Sequence, residues 1–250
     1  MNTTATIEKL YDLRLGIMAE AFSAELMRTG EVSLSFAERV GLLVDRQWAA
    51  REEARLARRL KKANLKTPSA CVEEIDFRTP RGLNREVVLD LAGLGFLAGA
   101  GNVIVTGPTG LGKTYLACAL ADRACRRGFG AAYCRLPRLV FELALSRADG
   151  SYLKVLAGLA KVELLILDDW GLVTLDAQAS ADVMDVIDDR AGLRSTIVTS
   201  QLPVSEWHSL IADASIADAL LDRLVHRAVR IELKGESMRK EAPPRRPKLT

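Results

Sequence analysis

The chain has 250 residues, 49% hydrophobic and 27% charged, with 35 Lys and Arg against 32 Asp and Glu. That composition supports a buried core and excludes wholesale disorder, and no apolar run approaches the roughly 18 residues of a membrane helix. No cationic stretch leads into an apolar block at the N-terminus, so no secretory signal and no membrane partner are expected, and the location is cytoplasmic.

The net charge of +3 is a cancellation. Residues 1–66 carry +3, residues 67–233 carry −4 and residues 234–250 carry +4. Residues 46–66 alone carry +6, which points to an anionic partner at the basic end of the first segment. Cys71, Cys118, Cys125 and Cys134 form no Cys-x-x-Cys pair and are not spaced with His208 or His226 as ligands. Zinc and a disulfide framework are therefore not expected, and the thiols read as packing residues in a reducing compartment.

In chain order, residues 5–28 repeat apolar side chains at Ile7, Leu10, Ile17, Met18, Ala21 and Phe22, predicting one helix stopped by Gly30. Ser35 and Glu38 have the spacing of a capping box, so a long helix begins near Phe36. Its expected inner face is Val40, Leu43, Val44, Gln47, Ala50, Ala54 and Ala57. Pro68 marks a boundary, which makes residues 1–67 a small all-helical, DNA-binding domain. Residues 68–101 read as a linker with a short helix over 85–91. The core, 102–234, alternates strands at 102–106, 131–135, 163–168, 195–199 and 229–233 with helices at 113–127, 137–147, 151–161, 176–191 and 215–227. That alternation predicts an α/β fold with a parallel sheet covered on both faces. Residues 235–250 form a basic, proline-rich tail expected to be partly disordered.

Gly107, Pro108, Thr109, Gly110, Leu111, Gly112, Lys113 and Thr114 match the G-x-x-x-x-G-K-[ST] phosphate loop, after a β-branched strand and before a helix. Backbone N–H groups of such a loop cradle the phosphates of ATP, Lys113 reaches the β/γ oxygens, and the Thr114 hydroxyl ligates Mg²⁺. Tyr115, next in line, is counted with the nucleotide contacts. Asp168 ends the apolar run 164–167 and is the expected second Mg²⁺ partner, with Asp169 placed to polarise the attacking water. A whole strand separates the loop from Asp168 in sequence, so either the 195–199 strand or the Asp168 strand itself is inserted centrally. That order suits ATPases that hydrolyse with their own acidic residue, and no Asn-Lys-x-Asp guanine motif is present. Ser200 and Gln201 at the end of the fourth strand are either water-orienting groups or an ordinary polar strand end. Arg223, on an otherwise aliphatic helix, is either an arginine finger for a neighbouring subunit or a surface ion pair.

Together, the phosphate loop, Asp168-Asp169, Thr199-Ser200-Gln201, Asp222-Arg223-Leu224 and Gly235-Glu236-Ser237-Met238-Arg239 resemble the IstB family. These are AAA+ ATPases encoded beside a transposase in bacterial insertion sequences and similar to the DnaC helicase loader. The resemblance covers nearly the whole chain. It implies a sheet in 5-1-4-3-2 order, ATP-dependent multimerisation on duplex DNA, and regulation of the transposase of the same insertion sequence. It also favours Arg223 as the finger. Asp169 stands where the wider class has glutamate, which implies slow turnover, and only 17 residues follow the last strand, too few for a helical lid. Arg239 is the candidate substitute for the lid arginine.

Arg51, Arg55, Arg58, Arg59 and Lys62 recur at i+3/i+4, with Arg46 and Lys61 beside them. Few acids balance this stripe and the apolar face thins beneath it, so it is read as a sequence-independent phosphate contact. Arg135 and Arg138, with Arg147 and Lys154, form a second expected DNA surface. A DnaC-like loader acting on single-stranded DNA is the alternative, and a small-molecule kinase is disfavoured because no substrate lid is evident.

Overall fold

A computed structural model describes residues 3–27 and 34–238. Gly30, Arg239 and the remainder of the tail lie outside the described residues. The chain divides into two compact units, Met1–Arg58 and Arg59–Thr250.

The first unit holds α1 (Thr3–Asp12), α2 (Gly16–Leu26) and most of α3 (Phe36–Ala63). The single helix expected over 5–28 is therefore two. The break is a Schellman turn: Arg14 takes φ +58°, Arg14 N–H donates to Tyr11 O, and Leu15 N–H donates to Leu10 O. Arginine occupies the position usually given to glycine, so the sequence carries no stop signal there. The capping box forms as expected, with Ser35 N–H on Glu38 Oε2 (2.7 Å) and Glu38 N–H on Ser35 Oγ (3.3 Å). Only part of the expected inner face of α3 is covered. Gln47 is buried and Val40, Leu43 and Ala50 half-buried, while Val44, Ala54 and Ala57 are exposed. Between α2 and α3, Gln47 Oε1 accepts from Met18 N–H (3.2 Å), one of the donors of the first α2 turn that the helix itself leaves unpaired.

The second unit is built on β1 (Val103–Thr106), β2 (Ala131–Arg135), β3 (Leu164–Trp170), β4 (Ser195–Ser200) and β5 (Val229–Glu232). All pairs are parallel and the order is β5-β1-β4-β3-β2, the 5-1-4-3-2 arrangement expected from the resemblance. The open alternative is settled in favour of β4: it is the strand inserted between β1 and β3, so the Asp168 strand is not a direct neighbour of the phosphate-loop strand.

Around the sheet run α4 (Arg85–Ala92), α5 (Gly95–Ala98), α6 (Lys113–Arg126), α7 (Leu136–Ala148), α8 (Tyr152–Ala160), α9 (Ala177–Asp188) and α10 (Ala214–Val225). Ile104, Leu165, Leu167 and Val198 project from one sheet face into a core with α7, α9, α10 and the tilted indole pair Trp170–Trp207. Val103, Val105, Leu164, Ile166 and Ile197 are buried on the other face, where α6 packs against β2, β3 and β4. That two-sided burial is why these strands read as continuous apolar runs rather than alternating ones. Among the described residues no helix is long and apolar enough to cross a membrane.

At the N-terminal edge of the sheet, fully buried Arg190 ties together segments that regular structure leaves open. Its guanidinium donates to Leu159 O (2.6 Å), Val162 O (2.8 Å), Ser195 O (2.5 Å) and Thr196 Oγ1 (3.2 Å). Burial draws its pKa down to about 10. Arg190→Ala leaves three carbonyls short of a donor, each worth about 1–3 kcal/mol when buried, so a loss of about 3 kcal/mol or more is expected in urea unfolding. A loss below about 1 kcal/mol would mean that water replaces the guanidinium.

Candidate nucleotide-binding site

The C-terminal ends of β1, β3 and β4 meet at the point where the chain turns from β1 into α6, the place where open parallel sheets bind ligands. A cleft of about 410 Å³ opens there, walled by the loop between β1 and α6 and by the segment that precedes α4. Thr109, Gly110, Gly112, Lys113, Thr114, Tyr115, Asp169 and Gln201 all line it. Leu111 is buried beneath the loop. The loop's fold depends on missing side chains: at Gly107 (φ +134°) a Cβ would lie 2.2 Å from Leu233 O. Lys113, at the N-terminus of α6, bends back so that Nζ donates to Gly107 O (2.6 Å) and Pro108 O (2.8 Å).

Asp168 is the electrostatic centre of the site. It is wholly buried and accepts from Thr114 Oγ1 (2.9 and 3.1 Å), Tyr133 Oη (2.5 Å) and Thr199 Oγ1, with Lys66 Nζ 3.6 Å away. Burial pushes its pKa up, but the hydrogen bonds from Thr199, Tyr133 and Thr114 and the Lys66 charge outweigh it, so the carboxyl titrates below its ordinary value. The Tyr133 phenol is held protonated by burial and by its bond to Asp168. Thr114 and Asp168 present a hard, oxygen-only pair of donors. Among the described residues no cluster of three or more His, Cys, Asp or Glu stands by to complete a cage. Mg²⁺ asks for such a site, with one or two protein oxygens and the rest from phosphate and water, so Thr114 and Asp168 fit the ion and are the residues that would hold it.

Asp169 is set apart from Asp168 by a register shift of β3 against β4 between Leu167 and Trp170. Asp169 itself takes φ +63°, and this bulge re-aims its carboxylate, which accepts from Arg135 Nε at 2.8 Å. Gln201 is exposed on the cleft wall. Ser200 turns elsewhere, its hydroxyl donating to Trp170 O (2.8 Å) and accepting from Leu202 N–H (3.1 Å). Thr199, one residue earlier and on the other side of β4, is the group that reaches Asp168.

Arg223 is not among the cleft residues. It lies near the end of α10, bonded to Asp188 Oδ1 (2.6 Å) and Ala219 O (3.0 Å), and the adjoining backbone is held by Asn102 at the start of β1. Among the basic residues expected to meet DNA, Arg46, Arg51, Arg55, Arg58, Lys61 and Lys62 are exposed and Arg59 is half-buried. Arg51 donates to Arg14 O (3.0 Å) and Arg55 pairs with Glu52. Arg135 is engaged with Asp169, Arg138 with Glu142 and Arg147 with Asp182, while Lys154 is exposed. Tyr133, Lys66 and Arg81 join the site without a motif in the sequence to mark them, and Thr199 comes from the polar strand end Thr199-Ser200-Gln201. Thr199 had a signal, since strand alternation sends only one of two consecutive residues toward a given side.

A five-stranded parallel sheet in this order, with a phosphate loop after the central β1 and a buried acid on β3, defines a P-loop nucleotide-binding core of the AAA+ class. Solved structures bear this out at the level of fold. DnaI matches with a TM-score of 0.59 at 23% identity, over 66% of this chain and 92% of its own. The DnaC helicase loader matches with a TM-score of 0.56 at 20% identity, over 66% and 97%. The chain belongs to the IstB-like ATP binding protein family, whose model matches residues 8–245. The insertion sequence ATP-binding protein y4pL of Sinorhizobium fredii is 48% identical over 236 residues, 94% of this chain and 96% of that one.

Proposed function

We propose that this protein is an ATP-dependent, DNA-binding regulator of transposition. With ATP bound it multimerises on duplex DNA, remodels it, and recruits or stimulates the transposase encoded by the same insertion sequence. Slow, Mg²⁺-dependent hydrolysis of ATP controls the assembly. The observation that carries the DNA half of this reading is the run of exposed Arg51, Arg55, Arg58 and Lys62 on one side of α3, in a chain of this family. The nucleotide half rests on the phosphate loop and the buried Thr114–Asp168 pair. When Mg²⁺ is bound it neutralises charge on the phosphate oxygens; Lys113 supplies further positive charge, and Asp169 and Gln201 orient water from the cleft wall. Arg135 Nε holds the Asp169 carboxylate at 2.8 Å, so that contact must give way before Asp169 turns to water.

Binding to short duplex and single-stranded DNA across a salt series tests the DNA contact. If each subunit neutralises about five phosphates, log K falls against log salt with a slope of about −4 to −5 on duplex DNA. The Arg55→Ala/Arg58→Ala/Arg59→Ala variant then loses about three units of that slope. A salt-independent affinity, or an unchanged slope in the triple variant, contradicts the assignment. Preference for single strands favours the loader reading.

A further inference from the structure

The segment of the second unit that precedes α4 contributes a cation to the cleft that the phosphate-loop motif does not include. Asp76 Oδ1 accepts from Arg78 N–H (2.8 Å), Pro80 follows, and Gly82 takes φ +75° with its Cβ position 3.0 Å from Glu232 O. Arg81 O accepts from Lys234 N–H (2.9 Å), which fixes this backbone to the chain leaving β5. These turns drive the Arg81 side chain inward, where the residue is only 6% exposed and lines the cleft.

All the hydrogen-bond partners of that guanidinium are neutral, and the Asp76 carboxylate acts on it only through space. It donates to Leu111 O (2.8 Å), Asp76 O (2.7 Å) and Met238 Sδ (2.6 Å), while its Nε–H meets no acceptor. Among the described residues no carboxylate forms an ion pair with it. Buried charges are ordinarily paired with opposite charges, because two carbonyls and a thioether do not repay the lost hydration. Burial draws the arginine pKa below its ordinary value, and the opposing charge of Asp76 does not make up the difference. Position supplies the missing anion: Arg81 Nη1 lies 2.9 Å from the place a Cβ would occupy on Gly112, immediately before Lys113.

We propose that Arg81 is a nucleotide-binding residue whose guanidinium takes a phosphate group of bound ATP or ADP as its counter-ion. This rests on the nucleotide-binding reading of the cleft and extends it to a cation supplied in cis from the linker. The same side chain bonds the linker at Asp76, the loop at Leu111 and the segment after β5 at Met238, so phosphate binding also tightens these three walls on one another.

The test is calorimetric titration of ADP and adenosine, with Mg²⁺ present, into wild type, Arg81→Gln and Arg81→Lys. Arg81→Gln is expected to weaken ADP by tenfold or more and adenosine by less than twofold, and Arg81→Lys to recover most of the loss. Unchanged ADP affinity in Arg81→Gln overturns the proposal. So does an equal loss for ADP and adenosine, which identifies a clasp that only shapes the cleft. Failure of wild type to bind ADP instead refutes the nucleotide reading itself. If Arg81→Gln does not fold, wild type labelled with ¹⁵N-arginine carries the test, with Arg81→Lys giving the assignment: ADP, but not adenosine, shifts the Arg81 Nε–H resonance, and a resonance unmoved by ADP overturns the proposal.

Discussion

Replacing Lys113 by alanine is expected to weaken ATP and ADP binding by about a hundredfold or more, and with it to abolish nucleotide-dependent assembly. The ammonium is buried at the first turn of α6 and held over the loop by the carbonyls of Gly107 and Pro108. A cation in that position meets phosphate oxygens away from bulk water. Removing one partner of such a desolvated, charge-assisted contact costs about 2–5 kcal/mol, and each 1.4 kcal/mol is tenfold in affinity. Titration calorimetry reads the loss directly, with urea unfolding as a control that the nucleotide-free variant keeps its stability. Binding within about threefold of wild type would place the phosphates elsewhere.

Asp169→Asn separates binding from turnover. Asparagine tolerates the left-handed backbone that Asp169 adopts at φ +63°, so the bulge of β3 is kept. The loop, Lys113, Thr114 and Asp168 are untouched. Nucleotide affinity is therefore expected within about twofold of wild type, while hydrolysis falls by about a hundredfold, the usual scale for loss of a general base. The assembled state on DNA then persists. Phosphate release at the wild-type rate in this variant removes Asp169 from the reaction. It would leave the Arg135–Asp169 pair as a structural tie between the ends of β2 and β3.

These two residues were legible in the sequence because their context is local. A glycine-rich run between a strand and a helix, and acids at the end of an apolar strand, are contiguous patterns whose chemistry follows from spacing. The capping box at Ser35 and Glu38 is of the same kind. The groups that surround Asp168 are not. Tyr133 comes from β2 and Thr199 from β4, which the parallel register brings to one carboxylate, while Lys66 reaches it from beyond α3. Within the polar strand end Thr199-Ser200-Gln201, Thr199 faces Asp168 and Ser200 faces Trp170, a difference of strand face that the sequence leaves open. Arg81 sits in a segment that reads as a connector, and its burial follows from turns at Asp76 and Gly82 together with pairing to Lys234, which no local pattern announces. The break at Arg14 was hidden because the left-handed residue there is not glycine. Strand order came from the family resemblance, since alternation of strands and helices gives a parallel sheet without saying which strand lies centrally.

The basic stripe on α3 and the nucleotide cleft are different chemistries on one chain, and the proposed function joins them by making assembly on DNA depend on the state of the nucleotide. Sedimentation velocity on a duplex of defined length, run with ATP, with ADP and without nucleotide, tests that link most directly. The expected result is a large, discrete particle with duplex DNA and ATP only, and small complexes in the other two conditions. Particles of the same size in all three would contradict it.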